Sequence, residues 1–91
     1  MYNKNTKKGG NMTHSELWGA IVNVANWRHV SCAGLARLAG LDSTTFNKSK
    51  RVNKYGQPHW PSTYTLACVL DAAGITLAEF AKFMPHDTPN R

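Results

Sequence analysis

Acidic side chains are scarce in this chain: it has five, and none lies between Asp42 and Asp71. The formal charge of +6 is therefore concentrated on one stretch, which points to a polyanionic partner. The carboxylates Glu16, Asp42, Asp71, Glu79 and Asp87 form no close pair for acid–base work, and no Gly-rich phosphate loop or nucleophile motif is present, so enzyme chemistry is not expected. Cysteine is equally sparse. Cys32 and Cys68 are too few for a disulfide scaffold and read as reduced packing residues. His29 and Cys32 make an H-x-x-C, but Cys68, His59 and His86 lie apart from it, and a structural zinc needs four converging ligands; neither a metal nor another cofactor is expected. No apolar run approaches the ~20 residues of a membrane span, and MYNKNTKKGGN offers no signal-peptide core, which implies a cytoplasmic protein with no membrane partner. No segment alternates apolar and polar residues with period two, so strands are not expected.

Helix punctuation, by contrast, is abundant. Thr13 with Glu16 and Thr76 with Glu79 have the spacing of capping boxes, flanked by the apolar staples Met12/Leu17 and Ile75/Phe80. Ser31, Asp42 and Ser62 are further caps, while Gly40 and Gly74 stand where helix ends favour a left-handed residue. VNKYGQPHWP, with Gly56, Pro58 and Pro61, cannot be helical throughout. These signals predict an all-α domain, a compact five-helix bundle with helices near 14–28, 32–39, 43–50, 63–73 and 77–84. The domain spans 13–84, preceded by a flexible basic arm (1–12) carrying Lys4, Lys7 and Lys8 and followed by a tail (85–91). Met12 equally suits a start, which would leave 1–11 without a role.

Each helix must bury one face. At 100° per residue, Leu17, Ala20, Ile21, Val24 and Trp27 form one core stripe, Leu66, Val69, Leu70 and Ala73 a second, and Leu77, Phe80, Ala81 and Met84 a third. Trp18, Val22 and Ala25 lie off the first stripe and Phe83 off the third. That surplus fits either a central helix packed on two sides or a dimer contact made by Phe83 and Trp18.

Between Cys32 and Arg51, two short helices joined by Gly40, Leu41 and Asp42 stay in contact only if the crossing is small, and Ala36 and Gly40 make it so. Leu35, Leu38 and Ala39 face the core, and Phe46 pins the second helix from beyond the turn. This is the spacing of a helix-turn-helix. With Phe46 inward, Thr44 and Lys48 lie about 160° away and Thr45 and Asn47 about 100° to either side. Thr and Asn hydrogen-bond base edges in a major groove, and Lys reaches guanine or a phosphate. Lys50, Arg51 and Lys54 fall at the helix end and beyond it, where phosphates would meet them, and Arg37 projects from a helix that would cross the backbone.

The stretches GLARLAGLDSTTFNKSKR, WPST and GITLAEF resemble the N-terminal DNA-binding domain of phage-repressor-like helix-turn-helix regulators, the lambda-repressor-like fold, from about Ser15 to Met84. The resemblance implies a second motif helix in the major groove, with Ser43, Thr44, Asn47 and Lys48 as groove residues, and a homodimer on a two-fold operator. Many members of that family continue into a LexA-type self-cleaving domain; this sequence ends at Arg91, so self-cleavage is not expected of it. The loop RVNKYGQPHW is longer than the simplest members carry.

The function expected is therefore a nucleoid-associated, sequence-specific regulator of transcription that binds double-stranded DNA, with the transcription machinery as a further partner. Against it stand a protein-interaction module of the same fold, antitoxin-like or an RNA polymerase cofactor, and non-specific nucleic-acid packaging. Packaging would need basic residues on several faces, whereas here they gather at 48–54 and in the arm.

Overall fold

The computed structural model describes residues 12–85, so the arm at 1–11, with Lys4, Lys7 and Lys8, and the tail from 86 onward, with His86, lie outside the described residues. Four α-helices run in the order α1 (His14–Trp27), α2 (Cys32–Leu38), α3 (Thr63–Ala73) and α4 (Leu77–Ala81). No strand occurs among the described residues; Val52 and Pro58 form one isolated antiparallel bridge. The all-α expectation holds. None of the helices is long and apolar enough to cross a membrane.

Local chemistry starts the helices where the caps predicted. The Glu16 N–H donates to Thr13 Oγ1 and the Thr13 N–H to Glu16 Oε1, at 3.1 and 2.9 Å, and Thr76 and Glu79 repeat the box at 3.1 and 2.8 Å. Ser31 and Ser62 accept from Gly34 and Thr65. Three helices end in the same left-handed turn, in which the N–H beyond the cap bonds a carbonyl five residues back: Leu41 to Ala36, Ile75 to Leu70 and Val30 to Ala25. Gly40 and Gly74 supply the positive φ in two of them, whereas His29 adopts φ +59° in the third, at a steric cost glycine would not incur.

α1 is the central element, packed on α2 and α4, while α2 packs on α3. Leu17, Ala20, Ile21 and Val24 are buried as their stripe predicted, and Trp18 and Ala25 are buried as well, because a helix with neighbours on two sides has a core wider than one stripe. Leu35, Ala36, Phe46, Val69, Ala73 and Phe80 complete the core. Three expected core residues are mostly exposed: Trp27 (50%), at the end of α1, Leu38 (55%), in the last turn of α2, and Leu77 (60%), in the first turn of α4. Ala81 is exposed too; Phe80 and Met84 face the core as their stripe predicted, and Phe83, expected off it, packs there as well.

The fifth helix is the main correction. In place of a continuous helix over 43–50 there is one hydrogen-bonded turn and then a short 3-10 turn, Lys48–Lys50. Its bonds span three residues, from Thr45 to Asp42, Asn47 to Thr44, Lys50 to Asn47 and Arg51 to Lys48. Asn47, at φ −63° and ψ 150°, is extended and breaks the ladder. The physical reason is legible in Ser43-Thr44-Thr45 and Asn47, which have weak helix preference and side chains that compete for local backbone groups. The Thr44 N–H and hydroxyl both donate to Asp42 Oδ1, at 2.8 and 2.6 Å, and the Thr45 hydroxyl donates to the Asp42 carbonyl at 2.6 Å.

Candidate nucleic-acid interface

Phe46 positions this segment. It is fully buried, edge-on to Trp18 at 6.3 Å, and its burial contributes roughly 2–3 kcal/mol. With Phe46 fixed, Asn47, Lys48, Ser49 and Lys50 are all exposed. Thr44 is exposed, and Ser43 and Thr45 are half-buried. Both threonine hydroxyls are committed to Asp42 as donors, so toward a base edge they keep only acceptor capacity. Thr44 holds the Asp42 carboxyl below the usual aspartate range, through its hydroxyl first and its N–H second, with the Lys50 charge a smaller contributor. The one acid of this surface is thereby tied into the turn.

The expected backbone contacts divide. Arg37 lies exposed in the last turn of α2, and Lys50 and Lys54 are exposed. Arg51 turns inward: its guanidinium lies over the Trp18 ring at 5.3 Å, Nη2 donates to the Phe46 carbonyl at 3.2 Å, and Nε is buried without a hydrogen-bond partner. Its first role is to clamp the segment onto α1, because a guanidinium is weakly hydrated for a cation and its flat face stacks favourably on an indole.

Trp18 is 4% exposed and has no area to offer a second chain. Its indole N–H is shared between two acceptors, the His59 carbonyl and His14 Nε2, each at 3.0 Å, and His14 Nε2 lies 3.0 Å from the same carbonyl. Phe83 is half-buried against the core, with the Trp27 ring at 5.4 Å. The exposed aromatic beside Phe83 is Trp27, itself under the Arg28 guanidinium.

Sequence reasoning missed the form of Arg51–His59. The His59 N–H donates to Arg51 O at 2.9 Å and the Asn53 N–H to Gln57 O at 2.8 Å, and a turn over 53–56 is closed by Gly56 N–H to Asn53 O at 2.9 Å with Gly56 at φ +77°. This is a hairpin with a bulged glycine, signalled by Asn-x-x-Gly. Between it and α3 lies a cleft of about 270 Å³, lined by Trp18, Thr45, Lys50, His59, Trp60, Pro61, Ser62 and Thr65. Trp60 lines the cleft and stands edge-on to His14 at 5.5 Å. Among the described residues no three His, Cys, Asp or Glu side chains gather, and Cys32 and Cys68 are free thiols.

No family model, curated protein or solved structure matches this chain.

Proposed function

We propose that the protein is a sequence-specific double-stranded DNA-binding transcription regulator, and that the unit from α2 through Lys50 serves as a compact helix-turn-helix of the lambda-repressor-like kind. The observation that carries the reading is the exposed run Asn47, Lys48, Ser49, Lys50, with Lys54 close behind, fixed to the core by buried Phe46 in a stretch with no acid from 43 to 70. Two short turns take the place of a long recognition helix. Asn47 and Lys48 become the leading base readers, because the hydroxyls of Thr44 and Thr45 already serve Asp42 and Ser43 is partly covered. Arg37, Lys50 and Lys54 supply contacts to phosphate. A homodimer on a two-fold site would use Phe83 together with exposed Trp27 rather than Trp18.

Selection of sites from random duplexes, followed by binding of variants to preferred and scrambled DNA at several salt concentrations, tests this reading. Asn47→Ala should cost about 1–3 kcal/mol on the preferred site and little on scrambled DNA. Lys54→Ala should weaken both alike and lower the salt slope by about one. Equal loss on both duplexes for Asn47→Ala would remove the segment as a reader. The interaction-module reading rests on the exposed Trp27, Leu38 and Leu77, and moves ahead if no duplex is enriched.

A further inference from the structure

Tyr55 is 75% exposed at the tip of the Arg51–His59 hairpin, and the only ring contact it makes among the described residues is with the Lys54 ammonium, 5.2 Å from its centroid. The stem beneath it is stiff. Asn53 Oδ1 accepts the N–H groups of Tyr55 and Gln57 at 2.8 and 3.0 Å, Asn53 Nδ2 donates to Gln57 Oε1 at 3.0 Å, and the backbone pairs close the rest. Its root is bolted to α1 twice, through Arg51 over Trp18 and through the Trp18 indole N–H on the His59 carbonyl. A large aromatic held out on an ordered stem serves nothing in this chain's own core. The order it would have to acquire on meeting a partner is already present.

Charge selects the partner. The finger leaves the surface directly after Lys48 and Lys50, carries Lys54 beside its tip, and has no carboxylate in sequence from 43 to 70. Dimensions select the place. The three residue steps from Arg51 to Lys54 reach roughly 10 Å at ~3.3 Å per residue. Major and minor grooves on one face of a duplex are offset by half of the ~34 Å helical turn, about 17 Å, an offset that the stem and the tyrosine side chain together largely cover. A groove about 6 Å wide excludes a helix and admits an aromatic ring edge-on.

Building on the DNA-binding reading above, we infer that the hairpin is a second DNA-reading element: while Asn47 and Lys48 lie in the major groove, Tyr55 enters the adjoining minor groove and Lys54 rests on the phosphate ridge between them. Preference for A·T pairs follows at the flanking position, where no guanine amino group obstructs the ring.

The test uses the whole chain, a duplex enriched from a random pool, and dimethyl sulfate, which methylates guanine N7 in the major groove and adenine N3 in the minor groove. The wild type should protect N7 positions and, beside them, N3 positions. Tyr55→Ala should lose the N3 protection and about tenfold in affinity while the N7 pattern stays, and Tyr55→Phe should retain both. Circular dichroism matching the wild type confirms that this exposed position left the fold intact. N3 protection and affinity undiminished in Tyr55→Ala overturn the inference and leave the DNA-binding reading standing, as does a wild type that protects N7 alone. A wild type that binds no duplex, or binds RNA or a protein in its place, overturns both.

Discussion

Arg51 offers a test in which two roles of one side chain predict opposite results. If it is a clamp, Arg51→Ala removes the stacking over Trp18, about 0.5–2 kcal/mol, and the bond to the Phe46 carbonyl, about 1 kcal/mol at its 3.2 Å length. It also relieves the buried Nε that has no hydrogen-bond partner, which returns about 1 kcal/mol. The balance is a loss of about 0.5–2 kcal/mol. For a domain of this size that is a fall of roughly 2–16 °C in the melting midpoint. Arg51→Met, which keeps an apolar stem and a polarisable sulfur against the indole, should lose less than half as much. Urea unfolding followed by tryptophan fluorescence measures the loss, and salt-dependent binding to DNA supplies the second axis. Both variants should bind with the wild-type salt slope. An Arg51→Ala protein that unfolds at the wild-type urea midpoint, yet binds DNA with a slope reduced by one, would show that the guanidinium serves phosphate and that the clamp is wrong.

His29 stands at φ +59° in a helix-ending turn, so His29→Gly should stabilise the fold by about 0.5–1 kcal/mol, read as a higher urea midpoint, and a lower midpoint would mean the side chain contributes more than its strain costs. Thr44 depresses the Asp42 pKa, so these bonds stabilise the 42–45 turn above the ordinary aspartate value of about 3.9 and are lost as pH falls through the lower folded value; Asp42→Asn should flatten the acid limb of the stability curve, and an unchanged limb would discount the turn as a source of it. Trp27→Ser should leave the core intact and lower the protein:DNA stoichiometry on a two-fold site if Trp27 and Phe83 carry the dimer, while an unaltered stoichiometry places the contact elsewhere.

What could be read from the sequence was what depends on near neighbours. Thr13 with Glu16, Ser31, Ser62, and Thr76 with Glu79 start their helices as expected, because an N-cap bond spans only three residues. Gly40 and Gly74 end theirs, and Phe46 turns inward. Asp42 was also read as a cap, correctly as to its bonds and wrongly as to their consequence, since the side chains it holds are those of a turn. Leu38, Trp27 and Leu77 show the second limit. A periodic stripe says which residues share a face, and only the neighbouring element decides how far along the helix that face is covered. Arg51 shows a third: its charge suggested an outer partner, and the indole that receives it lies 33 positions away.

The His59 carbonyl, which accepts the Trp18 indole N–H, has a consequence that can be watched directly. An indole N–H locked to a backbone oxygen gives a proton resonance separate from the amide envelope, and here its hydrogen bond crosses 41 residues, from α1 to the far side of the hairpin. The exchange rate of that proton with solvent therefore reports how often the hairpin lifts from α1. Trp18 is thus a built-in gauge of the hairpin's seating, and its slowing on addition of DNA would record the hairpin being held in place.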